Sequence, residues 1–174
     1  MRIFVAVPLP DELKEKLGNL GREIEQDGIK PVKPENMHMT LKFLGDTDER
    51  KLGDIEKSLR EISFSRFICS AKGIGVFPSE KYIRVVWAGA ESGNAMESLA
   101  EKVNDALQGY GKKEQFSSHI TIARVKRRIE LGAFLEKYRE EDFGSFEVSR
   151  FELMQSELKK EGPIYSVLAS FEAE

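Results

Sequence analysis

The chain has 174 residues, 40% of them hydrophobic and 33% charged, with a formal net charge of −3. That length suits one domain with a real core, which excludes intrinsic disorder, and the charge balance excludes a polycation that coats nucleic acid. No apolar run approaches the ~20 residues of a membrane helix, and the short run Ile3–Pro8 lacks the cleavage pattern of a secretory leader, so no membrane partner is expected.

Arg2–Pro8 is β-rich and predicts a strand. Leu13, Leu17, Leu20 and Ile24 have helical spacing and predict a helix over Asp11–Gln26, ended by Gly28. Met37–Leu44 alternates, with Met37, Met39, Leu41 and Phe43 on a buried face and His38, Thr40 and Lys42 on the other. Asp46 stands three residues before Glu49 in a capping pattern, and a helix to about Ile62 follows. Phe64–Phe77 and Lys81–Ala90 predict two strands joined by Pro78-Ser79-Glu80. Met96, Leu99, Val103, Ala106 and Leu107 predict a helix over Asn94–Tyr110, followed by a short strand at Ser117–Val125 and a short helix at Glu130–Glu140. Phe146–Leu158 and Ile164–Phe171 close the chain as two strands around Glu161-Gly162-Pro163. The order helix, strand, helix, strand, strand therefore occurs twice, with His38 and His119 81 residues apart and Tyr82 and Tyr165 83 apart. This implies one domain over 1–174 built as two similar lobes by internal duplication.

His38 and His119 are the only histidines, and two of the three threonines, Thr40 and Thr121, follow them at the same offset. On a strand, residues i and i+2 share a face, so each imidazole projects beside a hydroxyl while Met39 and Ile120 point into the core. If the lobes are related by an approximate twofold, the two couples face one another across a groove. An imidazole, with an ordinary pKa of ~6.5, exchanges protons near neutral pH. Two of them flanking a phosphorus atom supply a base for attacking water and an acid for the departing oxygen, while the hydroxyls bond the non-bridging oxygens. Two other readings compete. Two histidines and a carboxylate can hold zinc or iron, but neither strand carries Asp or Glu on its histidine face, so no metal and no other cofactor is expected. Alternatively, both rings serve only structural hydrogen bonds.

The segments Met37-His38-Met39-Thr40-Leu41-Lys42-Phe43-Leu44-Gly45 and Ser118-His119-Ile120-Thr121-Ile122-Ala123-Arg124 resemble the paired signatures of the two-histidine (2H) phosphoesterase superfamily. Within it, the full-length pattern is most similar to the RNA 2′,3′-cyclic phosphodiesterases, long described as 2′-5′ RNA ligases. The resemblance implies an α+β fold, bilobal and duplicated, with two antiparallel sheets lining a central cleft and helices outside. It implies metal-independent hydrolysis of a terminal RNA 2′,3′-cyclic phosphate to a 2′-phosphomonoester, with His38 as proton donor and His119 as proton acceptor. Thr40, Thr121 and Arg124 are the implied substrate-binding residues. RNA ends are the expected partners and cyclic nucleotides are candidate substrates as well. Reversible 2′-5′ ligation by the same histidines, or a non-catalytic module that binds nucleotides or RNA ends, are the alternatives.

Strict alternation puts Arg124 on the face opposite His119, so only a bulge or a strand end turns it inward. Lys42 shares parity with His38 and reads as a solvated lysine that could line the groove. Phe4 reads as core, with base stacking as the other option. Between Lys112 and Arg128 the cations Lys112, Lys113, Arg124, Lys126, Arg127 and Arg128 face one acid, Glu114; this is a solvated face or a phosphate-steering one. Cys69 is the only cysteine, which excludes an intrachain disulfide and a cysteine zinc site; it reads as buried and unreactive, and a cytoplasmic location follows as the default. Nothing in the sequence signals an oligomer, and a monomer is expected.

Overall fold

The computed structural model describes residues 1–174 as nine strands and four helices. The strands are β1 (Arg2–Pro8), β2 (Ile29–Pro31), β3 (His38–Asp46), β4 (Phe67–Ser79), β5 (Tyr82–Glu91), β6 (His119–Val125), β7 (Asp142–Val148), β8 (Arg150–Lys159) and β9 (Gly162–Glu172). The helices are α1 (Asp11–Glu23), α2 (Leu52–Arg60), α3 (Ala95–Ala106) and α4 (Gly132–Tyr138). Every strand pair is antiparallel, in a four-stranded sheet ordered β3-β1-β8-β9 and a five-stranded sheet ordered β2-β6-β5-β4-β7. The fold is α+β with two antiparallel sheets, as the resemblance implied.

The strand orders exchange material between the two halves of the chain. The sheet that holds β3 and His38 is completed by β8 and β9, and it is covered by α3 and α2. The sheet that holds β6 and His119 is completed by β2, β4 and β5 from the first half and by β7, and it is covered by α1 and α4. An apolar cluster of 41 buried residues draws on both sheets and all four helices, so the halves do not have separate cores. Met39 and Ile120, each fully buried, pin the histidine strands to it; truncating such a residue to Ala costs ~2–5 kcal/mol. β1 has both edges paired, to β3 and β8, and both faces buried: Ile3, Val5 and Val7 join the main core, while on the other face Phe4 is covered by His38 and Tyr165 and Ala6 is buried beside it.

Several elements differ from the sequence expectations. The helix expected to run to Gln26 ends at Glu23, and Gly28, at φ +92°, instead turns the chain into β2. β2 itself was not expected; its three residues include Pro31, which an edge strand tolerates. Asp46 ends β3, and it is Asp48 that caps a 3-10 turn before α2 by accepting from the Arg50 amide at 2.9 Å. The helix expected to reach Tyr110 ends at Ala106. The expected strand Phe146–Leu158 is two strands that part at Ser149, β7 in one sheet and β8 in the other. The buried residues change phase there, from Phe146 and Val148 to Phe151 and Leu153, because the chain crosses between sheets.

Candidate active site

β3 and β6 lie on facing parts of the two sheets, with Cα atoms within 8 Å although no ladder joins them. Both strands carry the same irregularity. On β3, Ala6 pairs with Thr40 and Val5 with Lys42, so Leu41 is an extra residue. On β6, Trp87 pairs with Thr121 and Val86 with Ala123, so Ile122 is an extra residue. Such a bulge moves every later side chain to the opposite face. On β6 it brings Arg124 to the face that carries His119 and Thr121, which strict alternation had denied it. On β3 it has two consequences that overturn the alternating reading. Phe43, assigned to the core, is 56% exposed on the cleft side. Lys42 is not solvated but buried, donating to Asn104 Oδ1 at 2.9 Å and to the Lys112 carbonyl at 3.3 Å.

The resulting cleft has two arms that meet at His38, Thr40, Phe43, Thr121 and Arg124. One arm, of about 240 Å³, continues along His119, Phe77 and Phe116. The other, of about 340 Å³, continues along Lys30, Lys33, Lys126 and Tyr165 to the tip of the β8–β9 hairpin. The structure thus brings His38, His119, Thr40, Thr121 and Arg124 together. Thr47 is the one threonine whose hydroxyl is bonded internally, to the Gly45 carbonyl at 3.1 Å, which leaves the hydroxyls of Thr40 and Thr121 uncommitted.

Aromatic side chains hold each imidazole. His38 stacks on Phe4 with centroids 4.8 Å apart and meets the edge of Tyr165 at 5.2 Å. His119 meets Phe77 edge-on at 5.0 Å and lies 6.2 Å from Trp87. Phe4 is therefore core, and its ring is occupied by His38 rather than free for a base. Phe77, Trp87 and Tyr165 carried no functional signal in the sequence, because the strands that bear them come from the other half of the chain.

Burial lowers the pKa of His38 to about 4; the main chain of Asn36 works in the opposite direction and Lys14 adds to the lowering. Burial also holds His119 below its ordinary 6.5. The Ser117 main chain works in the opposite direction, and Nδ1 is sealed from solvent. Both rings are consequently neutral at pH 7, each free to accept a proton. Cys69 is fully buried in β4, its thiol pushed up to about 11 by burial, and it is far from nucleophilic. No group of three or more His, Cys, Asp or Glu side chains that could hold a metal ion converges in the molecule.

Residues 7–87 and 90–165 match the family described as LigT-like phosphoesterase. A protein of Archaeoglobus fulgidus named RNA 2′,3′-cyclic phosphodiesterase is 42% identical, with 99% of this chain and 100% of that one covered. One of the same name from Methanocaldococcus jannaschii is 38% identical, with 97% and 98% covered. A crystal structure of a Thermus thermophilus protein superposes with a TM-score of 0.83 at 34% identity, covering 99% of this chain and 97% of the other.

Proposed function

The chain belongs to the LigT-like phosphoesterase family, and on that premise we propose that it hydrolyses the terminal 2′,3′-cyclic phosphate of RNA to a 2′-phosphomonoester without a metal. The observation that carries this reading is the convergence of two imidazole–hydroxyl couples, one from each sheet, on one cleft. In the proposed reaction His119 takes a proton from water as its oxygen attacks phosphorus. The bond to the 3′ oxygen breaks on the opposite side, and His38 protonates that oxygen. Thr40 and Thr121 donate to the non-bridging oxygens, and the Arg124 guanidinium offsets their charge. Burial leaves His38 unprotonated at pH 7, so the proton it delivers is stabilised by the bound anion, which raises the pKa of a nearby imidazole. Both histidines belong to one chain, so the site is complete in a monomer, and we place its work on RNA ends in the cytoplasm. Cyclic mononucleotides present the same strained ring and are minimal substrates.

The test is incubation in EDTA with an oligoribonucleotide that ends in a 2′,3′-cyclic phosphate, followed by location of the phosphate on the product. A 2′-phosphate is expected, with turnover lost in His38→Ala and in His119→Ala. Full turnover in either variant, or none in EDTA with recovery on adding a divalent metal, overturns the reading.

A further inference from the structure

The two arms of the cleft differ in chemistry. Arg124 and Lys30 are directly opposite each other across the β2–β6 ladder, and Lys126 lies one residue past the end of β6, its amide bonded to the Gly28 carbonyl at 2.7 Å. Like charges placed directly opposite destabilise a sheet. No acid relieves them: Lys30, Lys33, Arg124 and Lys126 have no ion-pair partner, whereas the neighbouring Arg127, outside the cleft, pairs with Asp27 at 3.1 Å. What sets these four apart is their gathering along one arm of the cleft, in a chain whose acids outnumber its bases by 30 to 27. Glu161, at the hairpin tip, is the only acid on that arm. The tip is held over the arm by Asn36, whose Nδ2 donates to the Pro163 carbonyl at 3.1 Å. The other arm offers ring surfaces, Phe77 and Phe116; its Lys42 is already bonded to Asn104 and to the Lys112 carbonyl, and its one other lysine, Lys112, is matched by one acid, Glu114.

A nucleotide that ends an RNA with a 2′,3′-cyclic phosphate has one base and one continuing strand, the strand on its 5′ side. With the phosphorus between the histidines, base and strand must leave by different arms. We propose that the Lys30–Lys33–Lys126 arm is a track for the phosphodiester chain 5′ of the reacting nucleotide, so that the protein selects oligonucleotide ends over cyclic mononucleotides. This rests on the reading of the site given above. The chemistry is charge complementarity: lysine ammonium groups beside successive phosphates release counterions and make binding salt-dependent.

The experiment uses Lys30→Gln, Lys33→Gln and Lys126→Gln, singly and together, with two substrates: a cyclic-phosphate hexamer and a nucleoside 2′,3′-cyclic phosphate. It adds equilibrium binding of the 2′-phosphorylated hexamer from about 0.05 to about 0.5 M salt, the range over which counterion release is read. At ~0.7 per single-strand phosphate contact, the triple variant should flatten the log–log salt slope for hexamer binding by about 2 and weaken it roughly a hundredfold at about 0.1 M salt. Its preference for hexamer over mononucleotide should collapse, with the mononucleotide reaction reporting that the fold is intact. An unchanged slope and preference refute the track, and so does an equal loss on both substrates. If the wild type hydrolyses neither substrate, the hydrolytic reading fails, while the salt slope for the hexamer still decides the track.

Discussion

Acidification should remove from the native state a stabilisation that belongs to His38. The ring titrates near 4 when folded and near 6.5 when unfolded, so between those values the unfolded chain binds more protons than the native one. The contribution is therefore complete above pH 6.5 and is lost as the pH falls toward 4. The loss is about 2 kcal/mol by pH 5 and about 3 kcal/mol by pH 4, at ~1.4 kcal/mol per pH unit. Against a typical domain stability of ~5–15 kcal/mol this is a large share. The measurement is urea unfolding of the wild type and of His38→Gln at pH 7, 6, 5 and 4. Titrating carboxylates affect both proteins alike and cancel in the difference. The stability of the wild type minus that of the variant should fall by about 2 kcal/mol between pH 7 and 5. A difference that stays flat over that interval would refute the argument, since it would mean that His38 takes up its proton equally well in both states.

The free-protein pKa values of both histidines lie below 6.5, so kcat/KM should fall above pH 6.5 and peak on the acid side; a plateau reaching pH 8 counts against the proposed acid–base pair. Arg124→Ala should lower kcat/KM by roughly ten- to a hundredfold, the worth of one charge-assisted contact at ~1.5–3 kcal/mol, and Arg124→Lys should restore part of it. Arg127→Ala, which breaks only the pair with Asp27, should leave kcat/KM unaltered; equal losses in the two arginine variants would show bulk charge, not position, at work. Gly75→Ala drives a methyl into the Trp87 indole, which lies beside His119, and should cost ~1–3 kcal/mol by thermal or urea unfolding. Because Trp87 is the only tryptophan, its fluorescence should shift in the same variant, and an unperturbed spectrum would mean that the indole has room the structure denies it.

The histidine–threonine couples were legible because a period of two is a property of any strand. His38 and Thr40 needed no tertiary information to share a face. The bulges at Leu41 and Ile122 were not read; in the structure each shows as two adjacent buried residues where alternation allows one, Leu41 and Lys42 on β3 and Ile122 and Ala123 on β6. A one-residue phase slip of this kind marks an inserted residue, and it decides the positions of Phe43 and Arg124. Ser149 shows the same slip where the chain changes sheets. Lys30 and Lys33 escaped notice for a different reason. They belong to or follow a three-residue strand containing proline, whose existence depends on an edge of β6 that local sequence does not specify. The aromatic neighbours of each histidine were out of reach as well, since pairing across the two halves is long-range.

The traded hairpins also govern when the cleft comes into being. The five-stranded sheet has all its members once β7 has left the ribosome, but the wall behind His38 waits for β9 and for the Tyr165 ring that strand carries. Until the segment that forms β9 has been made, the cleft has one finished wall and one unfinished one.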